Sequence, residues 1–263
     1  MSWTNAVTPH GLTTLLLCAA AVFAATDACG VESRAEIQIN LCSDPTRVVS
    51  ALALAAERKP TTIWLFDSPT LELNRAGLRL RLREHDKESE LTLKVAGQNC
   101  EQVSPALLKP DGKCEADLHG DALDDVISLS RRLEAPARAR LLAPDETRGA
   151  PLVAALTAVL EPRQRTLLTE RRSATGGTAL LPADVARLGP SSVRTYRSAN
   201  ASYVVEVWTL PGGQQFVELS EKTGRNAALA RRAELTRLVN TAGLAICRDQ
   251  DSQARNKLAT LAR

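Results

Sequence analysis

The sequence predicts an α+β fold of antiparallel hairpins and amphipathic helices. Three observations carry this. Apolar and polar residues alternate strictly in Leu78-Arg79-Leu80-Arg81-Leu82-Arg83 and again in Glu90-Leu91-Thr92-Leu93-Lys94; two more strand-like runs flank Pro211-Gly212-Gly213; and apolar residues recur at helical spacing elsewhere. At 263 residues, 44% hydrophobic and 24% charged, the chain is long enough for one large domain or two small ones and has the composition of a folded protein. A net charge of +3 offers no bulk attraction for nucleic acid, and 3% aromatics leave few stacking platforms, so no nucleic-acid partner is expected. Arg outnumbers Lys by 26 to 7, which coding bias alone can produce, so the information lies in where the Arg residues fall.

The N-terminal run Leu12 to Ala25 is apolar but shorter than the roughly 20 residues that span a bilayer. It reads as the core of a signal peptide over residues 1–28, or as a buried N-terminal helix, since residues 1–11 carry no Lys or Arg. Thr26-Asp27-Ala28-Cys29 loosely resembles a lipoprotein cleavage site, which would put a lipid anchor on Cys29. Four cysteines then remain, and of their three pairings Cys100–Cys114 with Cys42–Cys247 is favoured: one closes a loop, the other ties the first strand to the tail. An exported chain in the periplasm, the envelope or the medium is the expectation; the alternative is a cytosolic chain with reduced, buried cysteines.

Residues 34–42 alternate as a strand, Asp44-Pro45 starts a helix over 48–58, and 61–66 is a short strand before a turn at 67–69. The alternating runs at 78–83 and 90–94 form a hairpin with one leucine face and one largely basic face. Residues 97–115 read as a loop, Ala116 to Leu142 and 152–160 as helices, and Arg163 to Glu170 as a strand. A hairpin over 203–210 and 215–220, a helix over 226–247 and a helical or frayed tail at 248–263 complete the chain.

A strand face of closely spaced Arg is either solvated or turned toward something anionic. If the sheet closes, that face lines a tunnel suited to a chain of phosphates, because the guanidinium fork grips phosphate oxygens in pairs. His10, His85 and His119 are isolated, no P-loop or nucleophile elbow occurs, and cysteine spacing does not suit zinc.

Several short elements also carry a resemblance. Phe66-Asp67-Ser68-Pro69, Leu71 to Leu73, Arg75-Ala76-Gly77, Leu80-Arg81-Leu82-Arg83 and Leu91-Thr92-Leu93-Lys94 resemble, in order, the first half of a CYTH domain of the triphosphate tunnel metalloenzyme family. Glu206-Val207-Trp208 and Val217-Glu218-Leu219-Ser220 resemble its late hairpin more diffusely, so the similarity spans roughly 34–245 within a domain over 34–247. The resemblance implies an antiparallel β-tunnel, or barrel, flanked by helices, whose members bind triphosphate-containing substrates and cleave them with Mg²⁺ or Mn²⁺. It implies inward phosphate-binding roles for Arg81, Arg83 and Lys94, with Arg79 on the same face and Arg163 or Arg165 from the other half. Glu36 and Glu218 would hold the metal and carry catalysis. The family's ExExK motif stands here as Glu36-Ile37-Gln38-Ile39-Asn40, which retains one carboxylate and loses the cation; Glu90 and Glu206 are candidate substitutes. Two functions follow: a metal-dependent hydrolase of triphosphate or polyphosphate, or a non-catalytic polyanion-binding envelope protein that has lost the metal site. A third, blander outcome keeps only the fold.

Overall fold

The computed structural model describes residues 34–56, 59–85, 88–250 and 253–262. The expected signal at 1–28 and the anchor position Cys29 lie outside the described residues. Strand β1 (Arg34–Leu41) is followed by α1 (Pro45–Ala51), whose first turn is capped by Asp44: its carboxylate accepts from the N–H groups of Thr46 and Arg47 at 2.9 and 3.2 Å. Next come β2 (Ala55–Ala56), β3 (Thr61–Asp67), α2 (Glu72–Arg75), β4 (Leu78–His85), β5 (Glu88–Gln98), α3 (Pro105–Leu108), β6 (Gly112–His119) and β7 (Ala122–Arg132). Helices α4 (Ala135–Leu141), α5 (Ala150–Val159) and α6 (Pro162–Ala174) separate these from β8 (Ala186–Arg197), β9 (Val204–Thr209) and β10 (Gln215–Gly224). The chain ends in α7 (Ala228–Thr241) and α8 (Gln253–Leu261).

The sheet runs β8-β3-β4-β5-β7-β6-β1-β10-β9, and β9 pairs back onto β8, so nine strands close into a barrel. All pairings in the ring are antiparallel except β1 with β6, which is parallel. Closure removes the free edges that an open sheet would expose.

Alternation then sorts the side chains. Leu78, Leu80 and Leu82 of β4, Leu91 and Leu93 of β5, and Ile127 and Leu129 of β7 point outward and are sealed by Leu152 and Leu156 of α5 and Leu167 and Leu168 of α6. On the opposite side, Ile37, Ile39, Val205, Val217 and Leu219 pack beneath Val48 of α1 and Leu235 and Val239 of α7. Each fully buried leucine contributes about 1.5–3 kcal/mol, so the helices are held by the outer face of the barrel. Both expected disulfides form: Cys42–Cys247, with Cα atoms 5.0 Å apart, and Cys100–Cys114, at 5.5 Å.

Three expectations are corrected, and one strand is new. The helix read over 116–142 is a hairpin, β6 and β7, joined by Gly120-Asp121, with His119 paired to Ala122. The apolar spacing at Leu118, Leu123 and Val126 imitates a helix, but a two-residue Gly-Asp link and the Ile127-Ser128-Leu129-Ser130 alternation are hairpin signals. The strand read at Arg163 to Glu170 is helix α6, begun by Pro162 at its first position and by the Glu161 N–H donating to Gln164 Oε1 at 3.0 Å. Helix α1 stops at Ala51 rather than running to 58, where Ala53 takes a positive φ of 49°. Strand β8, which closes the ring, has only weak alternation and is not legible in the sequence.

The Phe66-Asp67-Ser68-Pro69 turn is held by one carboxylate. Asp67 is 1% exposed, and its oxygens accept from the N–H groups of Ser68, Leu73 and Asn74 at 2.8–2.9 Å, capping α2 from outside it. Asp67→Ala is expected to cost roughly 3 kcal/mol or more, because three N–H groups lose their acceptor, and Asp67→Asn about half as much. Urea denaturation of the full chain measures both; a loss below about 1 kcal/mol in the alanine variant would mean that water replaces the carboxylate.

Candidate functional site

Because leucines take the outer face of β4, its three arginines must enter the barrel. Residues two apart on a strand are separated by roughly 6.6 Å, so Arg79, Arg81 and Arg83 form a ladder along one wall. Cross-strand pairing sets their neighbours: Arg79 faces Lys94, Arg81 faces Thr92 and Arg83 faces Glu90. Thr92 continues to Ser130 of β7, their hydroxyls 3.0 Å apart, and its own hydroxyl donates to Glu90 at 3.0 Å. Across the lumen stand Glu36 and Gln38 of β1, Glu206 and Trp208 of β9, and Glu218 of β10. The cavity is about 510 Å³, with eight basic side chains on its walls against four glutamates.

Of the residues singled out in the sequence, Glu36, Arg79, Arg81, Arg83, Lys94 and Glu218 come together in this one cavity. Arg163 and Arg165 do not. Helix α6 carries them on the outside of the barrel, where Arg163 donates to Leu107 O at 3.0 Å, to Lys109 O and to Glu161 at 2.8 Å, and Arg165 donates to Thr157 O at 3.4 Å. Lys113, Arg197, Lys222 and Lys257 also line the cavity and were not anticipated. Lys222 continues the Glu218-Ser220 alternation two residues on, a signal the sequence held. Lys257 had none, because nothing in a polar C-terminal tail says that it folds back into the lumen.

The ladder is relieved only at a distance by the surrounding carboxylates. No ion pair involves Arg79, Arg81 or Arg83 among the described residues, and the Nε atoms of Arg79 and Arg83 are buried without a hydrogen-bond partner. Burial, reinforced by the adjacent Arg83, pushes the Arg81 guanidinium down to about 9 despite Glu206 and Glu90. Burial also lowers Arg79, against the pull of Asp117, Glu218 and Glu36. A guanidinium resists deprotonation, so this depression is charge held at a cost that an anion in the cavity would relieve. Elsewhere the cations are matched: Lys94 lies 3.6 Å from Asp117, and Lys113 and Lys222 share Glu115 at 2.5 and 3.0 Å.

Two of the lumen carboxylates, Glu218 and Glu206, are also engaged by the protein. Glu218 lies 3.6 Å from Lys257 Nζ, and Glu206 accepts from the Trp208 indole N–H at 3.0 Å. Burial raises Glu218 and lowers Lys257, to about 8, while each partner's charge opposes the shift. Asn40, at the end of the motif on β1, donates through Nδ2 to Asp249 O at 3.3 Å. Among the described residues, no three of His, Cys, Asp and Glu converge as a metal-ligand cluster. A hard divalent ion is held by carboxylates together with phosphate oxygens and water; with Gln38 in place of a motif carboxylate and Glu218 already paired to Lys257, this donor set falls short of the Mg²⁺ or Mn²⁺ site that the resemblance implies.

No family model and no curated protein matches the chain. Solved structures do. A proposed adenylyl cyclase from Hippeastrum with a dominant triphosphatase activity is 14% identical, with a TM-score of 0.53 over 86% of this chain and 94% of that one. A proposed adenylate cyclase from Bacillus halodurans is 13% identical, with a TM-score of 0.49 over 85% of this chain and 97% of the other. At such identity the Hippeastrum likeness is one of fold, and it agrees with the ring of nine strands and its outer helices: the chain has the CYTH-like barrel fold.

Proposed function

We propose that this protein binds a linear condensed phosphate, a triphosphate or polyphosphate, inside its tunnel, and does so outside the cytoplasm. The observation that carries the reading is the Arg79-Arg81-Arg83 ladder, half-buried along one wall of the main cavity, with the Nε–H groups of Arg79 and Arg83 buried and unpartnered. A repeating anion meets a repeating row of forks. A nucleobase is a poorer fit, because the Trp208 ring in the cavity is covered by Lys257, 3.7 Å from its centroid. Export is supported by the two disulfides, which persist in oxidising compartments. Among the described residues no helix is long and apolar enough to cross a membrane.

Arg81→Ala is expected to weaken tripolyphosphate binding by about tenfold or more, since a desolvated charge-assisted pair is lost. Arg163→Ala, on the outer helix, should leave affinity unchanged. Isothermal titration of the full chain measures both, and equal losses in the two variants would place the anion outside the tunnel.

A second reading, hydrolysis, draws on the fold shared with the Hippeastrum triphosphatase. The two separate on phosphate release from tripolyphosphate with Mg²⁺, with Mn²⁺ and with EDTA. The binding reading expects no release above that of Glu36→Gln under any condition. Metal-dependent release that disappears in Glu36→Gln would establish the hydrolase instead.

A further inference from the structure

The C-terminal helix brings a cation into the tunnel. Lys257 of α8 is 3% exposed, lines the main cavity, and sits 3.6 Å from Glu218 and 3.7 Å from the Trp208 ring centroid. Its position is fixed from both sides. Leu258, 1% exposed, is seated among Ile63, Leu65, Leu188 and Val193 on the inner side of β3 and β8. Upstream, the Cys42–Cys247 disulfide ties the chain to the end of β1. Gln250 adds a two-way clasp, accepting from the Asn40 N–H at 3.0 Å and donating to the Asn40 carbonyl at 3.0 Å. The ammonium is therefore built into the cavity by the fold rather than resting there by chance.

An ammonium has three N–H donors, and one carboxylate 3.6 Å away and one ring face do not use them all. Glu218 is thereby held against a cation that the protein itself supplies, next to a ladder of arginines that needs an anion. We infer that the Lys257 ammonium takes the place of a divalent cation in this tunnel, bridging Glu218 to phosphate oxygens so that a condensed phosphate is bound without metal. This rests on the reading of the tunnel as a condensed-phosphate site. It adds a tail residue to that site and gives the buried Glu218 a cationic partner from the protein itself. Lysine acts here as a compact point charge, as it does at phosphate sites generally.

The test is tripolyphosphate titration of the purified full chain, disulfides intact, in EDTA and in millimolar Mg²⁺. Wild type should bind equally in both. Lys257→Met, which keeps the volume of the stem, should bind at least about tenfold more weakly in EDTA and recover with Mg²⁺, because Glu218 is freed for the metal. Lys257→Arg should keep metal-free binding. The double variant Lys257→Met with Glu218→Gln should lose the Mg²⁺ recovery, and melting temperatures confirm that each variant is folded. Binding by wild type that demands Mg²⁺ overturns this inference alone. So does Lys257→Met binding as tightly as wild type, or more tightly, in EDTA, which would make α8 a competitor for the site. Absence of tripolyphosphate binding by wild type under both conditions overturns the condensed-phosphate reading itself.

Discussion

Closing an alternating strand into a ring leaves each side chain only two places to go. On β4 the residues are leucine and arginine in strict turn, so the wall that buries Leu78, Leu80 and Leu82 must enclose Arg79, Arg81 and Arg83. The apolar half is satisfied locally, because α5 and α6 lie over it and exclude water. The charged half is not. In an open, solvated sheet three arginines roughly 6.6 Å apart would repel weakly through water; inside nine strands the same repulsion acts with less screening, and guanidinium N–H groups remain without acceptors. The other features of the molecule can be understood as partial answers to that enclosed charge.

Some answers are internal. Asp117 sits beside Lys94 and Glu115 beside Lys113 and Lys222, so the side of the barrel formed by β5, β6 and β10 is nearly neutralised by its own acids. Glu90 lies across from Arg83 but also accepts from Thr92, and Glu206 is turned to Trp208. The C-terminal helix adds a positive charge to a lumen already rich in them, which makes sense only if Glu218 would otherwise face the cavity unpaired or if an anion shares the ammonium. Both disulfides bear on this arrangement. Cys42–Cys247 holds the departure point of the tail, while Cys100–Cys114 pins the segment between β5 and β6 where the ring turns from one wall to the next.

The parts legible in the sequence share one property: they depend on neighbours in the chain. The Leu-Arg alternation of β4, its partner β5, the Pro211-Gly212-Gly213 hairpin and the Asp44-Pro45 helix start are each fixed by residues a few positions apart. The misread segments were those where local spacing supported two answers. Leu118, Leu123 and Val126 suit a helix as well as two strands, and the demand for strands between β5 and β1 decided the matter. Arg163 to Glu170 reads as a strand, but Pro162 and the cap formed by Glu161 and Gln164 start a helix whose Leu167 and Leu168 cover the barrel.

By itself the sequence determined which strand faces are basic and which apolar, and, through the resemblance, that Gln38 and Asn40 stand where a charged motif would be; it favoured one of three cysteine pairings, which the structure selects. Only the tertiary structure decided that the basic face is enclosed, that α6 lies outside it, and that Lys257 lies within it. The reason is distance along the chain. Closure depends on β8 pairing with β9 and β3, and the lumen cation on a tail that returns to Glu218 and Trp208, contacts that no local pattern of residue types encodes.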